Sequence, residues 1–119
     1  MGWWVYLQDA TGKPVMVEPH REGGIVRVNA PDGPVEAEVS VSYNYSQIFH
    51  DALGERGPRQ FLHRKRAGDL VPELELAVAK LGTDRDPDYW KPTKGNAGVI
   101  LALLLKWARQ HPDAFFEVH

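Results

Sequence analysis

The chain of 119 residues has no cysteine, no HExxH, Walker or GxSxG motif, and no long apolar run. Without cysteine there are no disulfide bonds, thiolate zinc ligands or cysteine nucleophile. The longest apolar run, Ala97 to Leu105, has nine residues, whereas a membrane span needs about 20. This run is therefore predicted to be a core helix. The first residues, MGWWVYLQDATG, lack the basic and apolar regions of a signal peptide, and we expect a cytoplasmic protein with no membrane contact.

The chain also has little excess charge of either sign, since its net charge is −2. Nucleic acid is therefore an unlikely partner for the chain as a whole. One segment, 56–66, nevertheless carries five basic residues and no acidic one. A phosphate-binding patch is one interpretation of this segment, and a solvated basic loop is the interpretation that the net charge favours.

The first 43 residues have the features of antiparallel strands. Strands are predicted at Trp3–Gln8, Pro14–Glu18, Ile25–Val28 and Val35–Tyr43, with turns rich in Gly, Pro, Asn and Asp between them. The last of these is the clearest, since apolar and polar residues alternate along its whole length and give it one buried and one wet face. Pro14–Glu18 is expected to fold back on Trp3–Gln8 as a hairpin.

The pattern then changes to helical spacing. Ser46 is the predicted N-cap of a helix over Gln47–Leu53. Asp69 is the predicted N-cap of a second helix that ends at Gly82. A third helix, from about Asn96 to Gln110, is apolar nearly all round and is predicted to be the most buried element.

A short strand, Phe115–Val118, is predicted after the proline that stops the third helix. Strands first, helices next and one late strand predict an α+β fold. We expect an antiparallel sheet, made of the N-terminal strands and the C-terminal strand, with about three helices packed on one face. Residues 1–119 are interpreted as a single domain.

Two segments at element junctions carry candidate binding residues. The first, Tyr43–Ser46, leaves the long strand and offers Asn44 for hydrogen bonds and Tyr45 for contact area. The second, DPDYWKPTKGNAG at 86–98, enters the third helix. Its candidate binding residues are Trp90, Lys91, Thr93 and Asn96. Helix-start N–H groups beside lysines would favour a small anionic ligand.

The same residues also suit structural roles, because helix caps and turns favour these residue types without any ligand. Thr93 or Asn96 could cap the third helix, and Gly98 could let that helix pack closely. If the helix crosses the sheet in the right direction, its start lies near the end of the long strand. In that case Asn44 or Tyr45 should contact the loop that contains Trp90.

Histidines supply the remaining candidates for chemistry. The five are His20, His50, His63, His111 and His119. His50 and Asp51 are adjacent and would point about 100° apart on a helix, which makes a poor chelating pair. No metal, cofactor or catalytic residue is therefore predicted. A catalytic set can still be drawn from His50, Asp51 and His63, or a Ser-His-Asp triad from Ser46, His50 and Asp51, but any chain with five histidines allows such sets.

Several strings resemble those of a family of small uncharacterised proteins from bacteria and their phages. They are EGG at 22–24, YNYS at 43–46, LGTDRDPDYWKPT at 81–93, GNAG at 95–98, and WA and HPDA between 107 and 114. The resemblance implies a bacterial, intracellular, single-domain protein with no activity that can be named. The family carries Gly-Lys in the region of Arg64-Lys65 and proline at the position of Lys94, and this chain departs at both places.

Three hypotheses for function follow. The first is a non-enzymatic binding or accessory module, with a site between residues 43–46 and 89–98 that takes a protein or a small anionic ligand. The second is a small hydrolase or nuclease-like enzyme that uses His50, Asp51 or His63. The third is a self-associating protein, for example a homodimer, in which the aromatic N-terminal strand is a sheet edge that pairs with its copy.

Overall fold

The computed structural model describes residues 2–18, 34–54, 57–88 and 91–119. The strands are β1 (Gly2–Gln8), β2 (Met16–Val17), β3 (Val35–Glu36), β4 (Glu38–Ser42) and β5 (Phe115–Val118). The helices are α1 (Ser46–Ala52), α2 (Pro58–Leu62), α3 (Ala67–Leu81) and α4 (Lys94–Gln110), with a 3-10 turn at Tyr43–Tyr45 before α1. The predicted strand Ile25–Val28 and the candidate binding residue Trp90 lie outside the described residues. The α+β prediction is confirmed.

The three-stranded sheet has the order β4-β1-β5, and both pairings are antiparallel. Val5 in β1 lies opposite Val39 in β4 and Val118 in β5. The hypothesis that the N-terminal strand is a sheet edge is therefore wrong. It pairs with β4 on one side and with β5 on the other, so its ladder hydrogen bonds are used within the molecule.

The long strand predicted at Val35–Tyr43 is divided. Ala37 separates β3 from β4, and its N–H donates to the carbonyl of Val15 while its carbonyl accepts the N–H of Leu7. The hairpin predicted for Pro14–Glu18 is correct in its first two residues, where Pro14 bridges Gln8 and the N–H of Val15 donates to the carbonyl of Leu7 at 2.9 Å. Beyond that point β2 pairs with β3 in a separate two-stranded sheet.

Alternation gives the main sheet two different faces. The inward side chains are buried aliphatic and aromatic groups: Val5, Leu7, Val39, Val41, Phe116 and Val118. The opposite face carries Trp4, Tyr6, Ser40 and Glu117, all more exposed than the inward set. One face therefore lies on the hydrophobic core, as the period of two in β4 predicts.

The helix starts differ from the predictions in detail. Ser46 is the first residue of α1 rather than its N-cap, because the 3-10 turn precedes it, and its hydroxyl donates to the Tyr43 carbonyl at 2.6 Å. Asp69 lies in the first turn of α3, while Arg66 takes the N-cap position. The apolar Phe61-Leu62 pair belongs to α2, a helix that the basic composition of this stretch concealed. Both side chains are buried, which is why the segment is ordered as helix.

The helices α3 and α4 form an antiparallel pair that supplies much of the core. Gly82 ends α3 at φ 72°, a conformation that glycine adopts without strain. Leu104 and Trp107 of α4 are each 1% exposed, which confirms the prediction that α4 is a deeply buried element. Residues 111–114 then turn the chain into β5.

Candidate functional site

The loop between α3 and α4 is held by one buried side chain, that of Asn96. Its Oδ1 accepts the N–H of Asp86 at 2.8 Å, and its Nδ2 donates to the carbonyls of Asp88 at 3.1 Å and Lys91 at 3.0 Å. Both amide hydrogens of Asn96 are therefore used inside the protein, and the residue is 5% exposed. Asn96 closes the loop over the start of α4, in agreement with the structural interpretation of this motif.

Thr93 is the N-cap of α4, which is one of the two caps that the sequence predicts. Its Oγ1 accepts the N–H of Asn96 at 3.1 Å, which satisfies one of the unpaired donors that every helix start has. Lys91, whose side chain is 62% exposed, places its Nζ 3.5 Å from Oδ2 of Asp86. The structure thus brings together Lys91, Thr93 and Asn96, and it does so through contacts within the loop.

The first candidate segment separates into exposed and buried parts. Asn44 is exposed, and its N–H donates to the Ser42 hydroxyl at 3.3 Å. Tyr45 is 0% exposed and packs near Phe49, with ring centroids 6.0 Å apart. The ring of Tyr45 therefore belongs to the core and offers no surface to a partner, contrary to the contact role predicted for it. Its neighbour Tyr43 is 46% exposed.

The chain path directs the two segments toward the same end of the sheet. Residues 111–114 reverse the chain between α4 and β5, and β5 runs antiparallel to β1. The start of α4 is therefore directed toward the start of β1, and Gly2 there lies opposite Ser42, where β4 ends. This is the packing direction that the meeting of the two segments requires, and the direct contact between them stays a prediction.

Aromatic side chains mark this end of the sheet, and we call Trp3, Trp4 and Tyr43 the aromatic end. Trp4 and Tyr43 are exposed, whereas Trp3 is half-buried against the core and points to the opposite face from Trp4. Trp4 is 37% exposed and is stacked with Tyr6 at 6.5 Å and 17°. Tyr43 meets Trp3 edge-to-face at 4.7 Å and 78°. Sequence analysis did not single out Trp4, although the signal was present. Two consecutive tryptophans in a strand must point to opposite faces, so one of them had to leave the core.

A second group of polar side chains lies along β5. The Nδ1 of His63 accepts the N–H of Val118 at 3.0 Å. Oε2 of Glu117 lies 3.7 Å from the same Nδ1 and 3.5 Å from Nε2 of His119. Burial lowers the pKa of His63, and the nearby carboxylate of Glu117 opposes that effect. Because Nδ1 of His63 accepts the Val118 N–H, that nitrogen carries no proton in this arrangement, and the ring takes part in the edge of the sheet.

The basic segment 56–66 does not form one continuous cationic surface in its described part. Arg59 donates from Nη1 to the Val118 carbonyl at 3.3 Å. Arg66 pairs with Asp69 and Asp113, and these two carboxylates raise its pKa. Arg64, with a side chain that is 79% exposed, places its Nε 4.0 Å from Oε1 of Glu117. The structure thus gives individual partners to several of the charges that suggested phosphate binding.

Two residues of the hydrolase hypothesis, Asp51 and His63, have partners of their own. Oδ1 of Asp51 accepts a hydrogen bond from Gln47 at 2.9 Å, one turn away on α1. His50 and Asp51 are exposed, whereas His63 lies against β5. Among the described residues, no group of three or more His, Asp or Glu side chains is arranged to hold a metal ion.

Comparison with protein-family models, with curated proteins and with solved structures gave no match for this chain. None of the helices within the described ranges is long and apolar enough to cross a bilayer.

Proposed function

We propose that this chain is a non-enzymatic binding module, and that a partner protein binds it at the aromatic end. The observation that carries the proposal is the exposure of Trp4 and Tyr43 at the end of the sheet where β1 begins. Each exposed ring rests on a second ring, Tyr6 or Trp3. Tryptophan and tyrosine are enriched at protein interfaces, where a rigid ring gives a large contact area.

The small-anion alternative has less support from the contacts at the start of α4. The N–H of Asn96 already donates to Thr93, and the ammonium group of Lys91 lies beside Asp86. An anion would have to displace these internal partners. The binding hypothesis therefore moves from the loop, where the amide of Asn96 is committed to folding, to the aromatic end beside Asn44.

The test compares two variants as baits in a bacterial lysate, with quantitative mass spectrometry as the first readout. The double variant Trp4→Ser and Tyr43→Ser removes the exposed rings. Leu76→Ser is the matched control, because Leu76 is 66% exposed on α3. A partner of the aromatic end is retained by wild type and by the control and is lost by the double variant. Thermal melts establish that all three proteins are folded.

Calorimetry with the purified partner then measures the affinity. Loss of an aromatic hot spot weakens binding by about 2 kcal/mol or more, which is about 30-fold in Kd. Equal affinity of the double variant and wild type contradicts the proposal. Sedimentation of the protein alone distinguishes the homodimer alternative, since a dimer formed by the aromatic end would dissociate in the double variant and persist in Leu76→Ser.

A further inference from the structure

The edge of β5 is completed partly by backbone and partly by side chains. The backbone of Phe116 pairs with the segment that follows α2: its carbonyl accepts the N–H of Arg64 at 2.7 Å, and its N–H donates to the carbonyl of Lys65 at 3.1 Å. Two residues further on, at Val118, the hydrogen-bond partners are side chains instead of backbone groups. Nδ1 of His63 accepts the N–H of Val118 at 3.0 Å, and Nη1 of Arg59 donates to its carbonyl at 3.3 Å.

This arrangement requires one protonation state of His63. A ring nitrogen can accept a hydrogen bond only when it carries no proton, so the ring must be neutral with its proton on Nε2. The side chain of His63 is 16% exposed. Water is therefore only a limited substitute acceptor for the Val118 N–H if the imidazole stops accepting it.

A protonated His63 would find different partners in the same place. The Oε2 of Glu117 is 3.7 Å from Nδ1, close enough for a charged pair after a small rotation of the ring. The other charged or titratable groups that face His63 are Arg59 from α2, Arg64 from the following turn and His119 beyond β5. Positive charge on these three disfavours the protonated ring.

We propose that His63 is a proton-operated latch on the end of β5. In the neutral state the latch is closed, and the imidazole holds the N–H of Val118. On protonation Nδ1 becomes a donor, turns to Glu117 and releases Val118. The end of β5 then loses one of the two side chains that complete its edge, while Phe116 keeps its backbone pairing.

The direction of the pH effect follows from the burial of His63, which lowers its pKa below the ordinary value of 6.5. Between the lowered value and 6.5 the unfolded chain binds more protons than the folded chain. The contribution of His63 to stability is therefore complete above pH 6.5 and decreases as the pH falls through this window. This inference concerns the isolated protein and does not depend on the proposed partner.

The test is amide hydrogen exchange measured by NMR on the wild-type protein between pH 4.5 and 8, with the His63 ring titrated in the same samples. Protection factors, rather than rates, are compared, because intrinsic exchange itself depends on pH. The protection factor of the Val118 amide should fall by about five- to tenfold across the His63 titration, the equivalent of one hydrogen bond. The Phe116 amide, which donates to Lys65, should not follow that titration.

Three variants separate the latch from general effects of acid. His63→Asn offers an oxygen near the position of Nδ1 that does not titrate, so protection of Val118 should become independent of the His63 window. His63→Leu removes the acceptor, and protection should be low at every pH. His119→Asn removes the neighbouring imidazole and should leave the fall in place. Unchanged Val118 protection across the His63 titration, or the same fall in His63→Asn, overturns the proposal.

Discussion

Gly98 in α4 lies directly against Gly82 at the end of α3: a Cβ atom built on Gly98 would be 1.7 Å from the Gly82 carbonyl oxygen. One turn earlier, a Cβ on Gly95 would be 1.8 Å from the carbonyl oxygen of Asp84. Real Cβ atoms do not approach backbone oxygens so closely. The GNAG string therefore lets two backbones touch, and Asn96 between the glycines binds the loop that leaves α3.

Replacing Gly98 with alanine should destabilise the protein. Alanine favours a helix by about 1 kcal/mol over glycine, but α4 would have to move away from Gly82, and overpacking of this kind costs about 1–3 kcal/mol. Urea unfolding measures the difference. Gly57→Ala is the control, since nothing lies within 4 Å of a Cβ at Gly57. If the two variants are equally stable, the close approach at Gly98 is not what limits that position.

Replacing Asn96 tests whether its hydrogen bonds serve folding or a ligand. Asn96→Ala should lose about 1–3 kcal/mol of stability, because the Asp86 N–H loses its acceptor and the carbonyls of Asp88 and Lys91 each lose one donor. Asn44→Ala, at an exposed position, should lose less. A folding role predicts that partner binding by Asn96→Ala is intact wherever the protein is folded. Weaker partner binding at unchanged stability would restore Asn96 to the binding site.

The variant Asn96→Asp adds a pH signature. A carboxylate can accept the Asp86 N–H but cannot donate to the carbonyls of Asp88 and Lys91, so burial raises the pKa of the new acid in the folded state. The variant should therefore gain stability relative to wild type as the pH falls from 7 toward about 4. Melting temperatures across that range check the sign, and a difference from wild type that is constant with pH would contradict it.

Proline in place of Lys94 should be tolerated. Lys94 is the first residue of α4, where proline has a favourable fixed φ and its missing N–H is no loss. The preceding Thr93 has φ −100° and ψ 154°, the extended conformation that a following proline requires. Ala102→Pro, in the middle of α4, should cost about 3 kcal/mol or more, and a comparable loss in Lys94→Pro would refute the assignment of the helix start.

The backbone of Arg64 adopts a conformation that favours glycine. Its φ is 59°, the left-handed region that favours glycine. Arg64→Gly should leave stability unchanged or raise it by up to about 1 kcal/mol. Arg64→Val should lower it, because a β-branched residue is disfavoured at positive φ. Chemical unfolding of the two variants gives the order of their stabilities. The prediction is contradicted if Arg64→Val is more stable than Arg64→Gly.

Leu104→Asp should unfold the protein. Leu104 is 1% exposed in the core, and an unpaired buried charge costs several kcal/mol, a large part of the stability of a small protein. Leu76→Asp, at a side chain that is 66% exposed, should melt close to wild type. Circular dichroism checks both variants, and a native melt for Leu104→Asp would show that the core tolerates the charge.

Local sequence patterns were sufficient to predict the class of fold and the buried helix α4. The alternation in β4 and the apolar run in α4 each report burial directly, because period and polarity follow from which side of an element meets water. Thr93 could likewise be predicted as a cap from its place before an apolar run. The Tyr45 ring shows the limit of such patterns, since the sequence suggested a polar junction and the structure places it in the core.

The sequence predicts that the C-terminal strand joins the N-terminal strands in one sheet, but it does not give the order of the strands. The self-association hypothesis places β1 at a sheet edge, yet β5, which is more than 100 residues away, joins it on one side. Contacts of such separation depend on how the helices pack between them, and no local signal records that packing. The same reason hid α2, since its buried Phe61 faces a core assembled by distant elements.

The sequence by itself determined the α+β class, the burial of one face of β4 and of most of α4, and that one of two adjacent tryptophans must face outward. Only the tertiary structure decided that Trp4 and Tyr43 come to the same end of the sheet, that the Asn96 amide is used up inside its loop, and that His63 completes the edge of β5. The physical reason is one of range. Burial and capping are set by neighbours within a turn or a strand. The positions of Trp4, Tyr43 and His63 depend instead on how distant elements pair, and the use of the Asn96 amide depends on how the whole loop between α3 and α4 folds back on the start of α4.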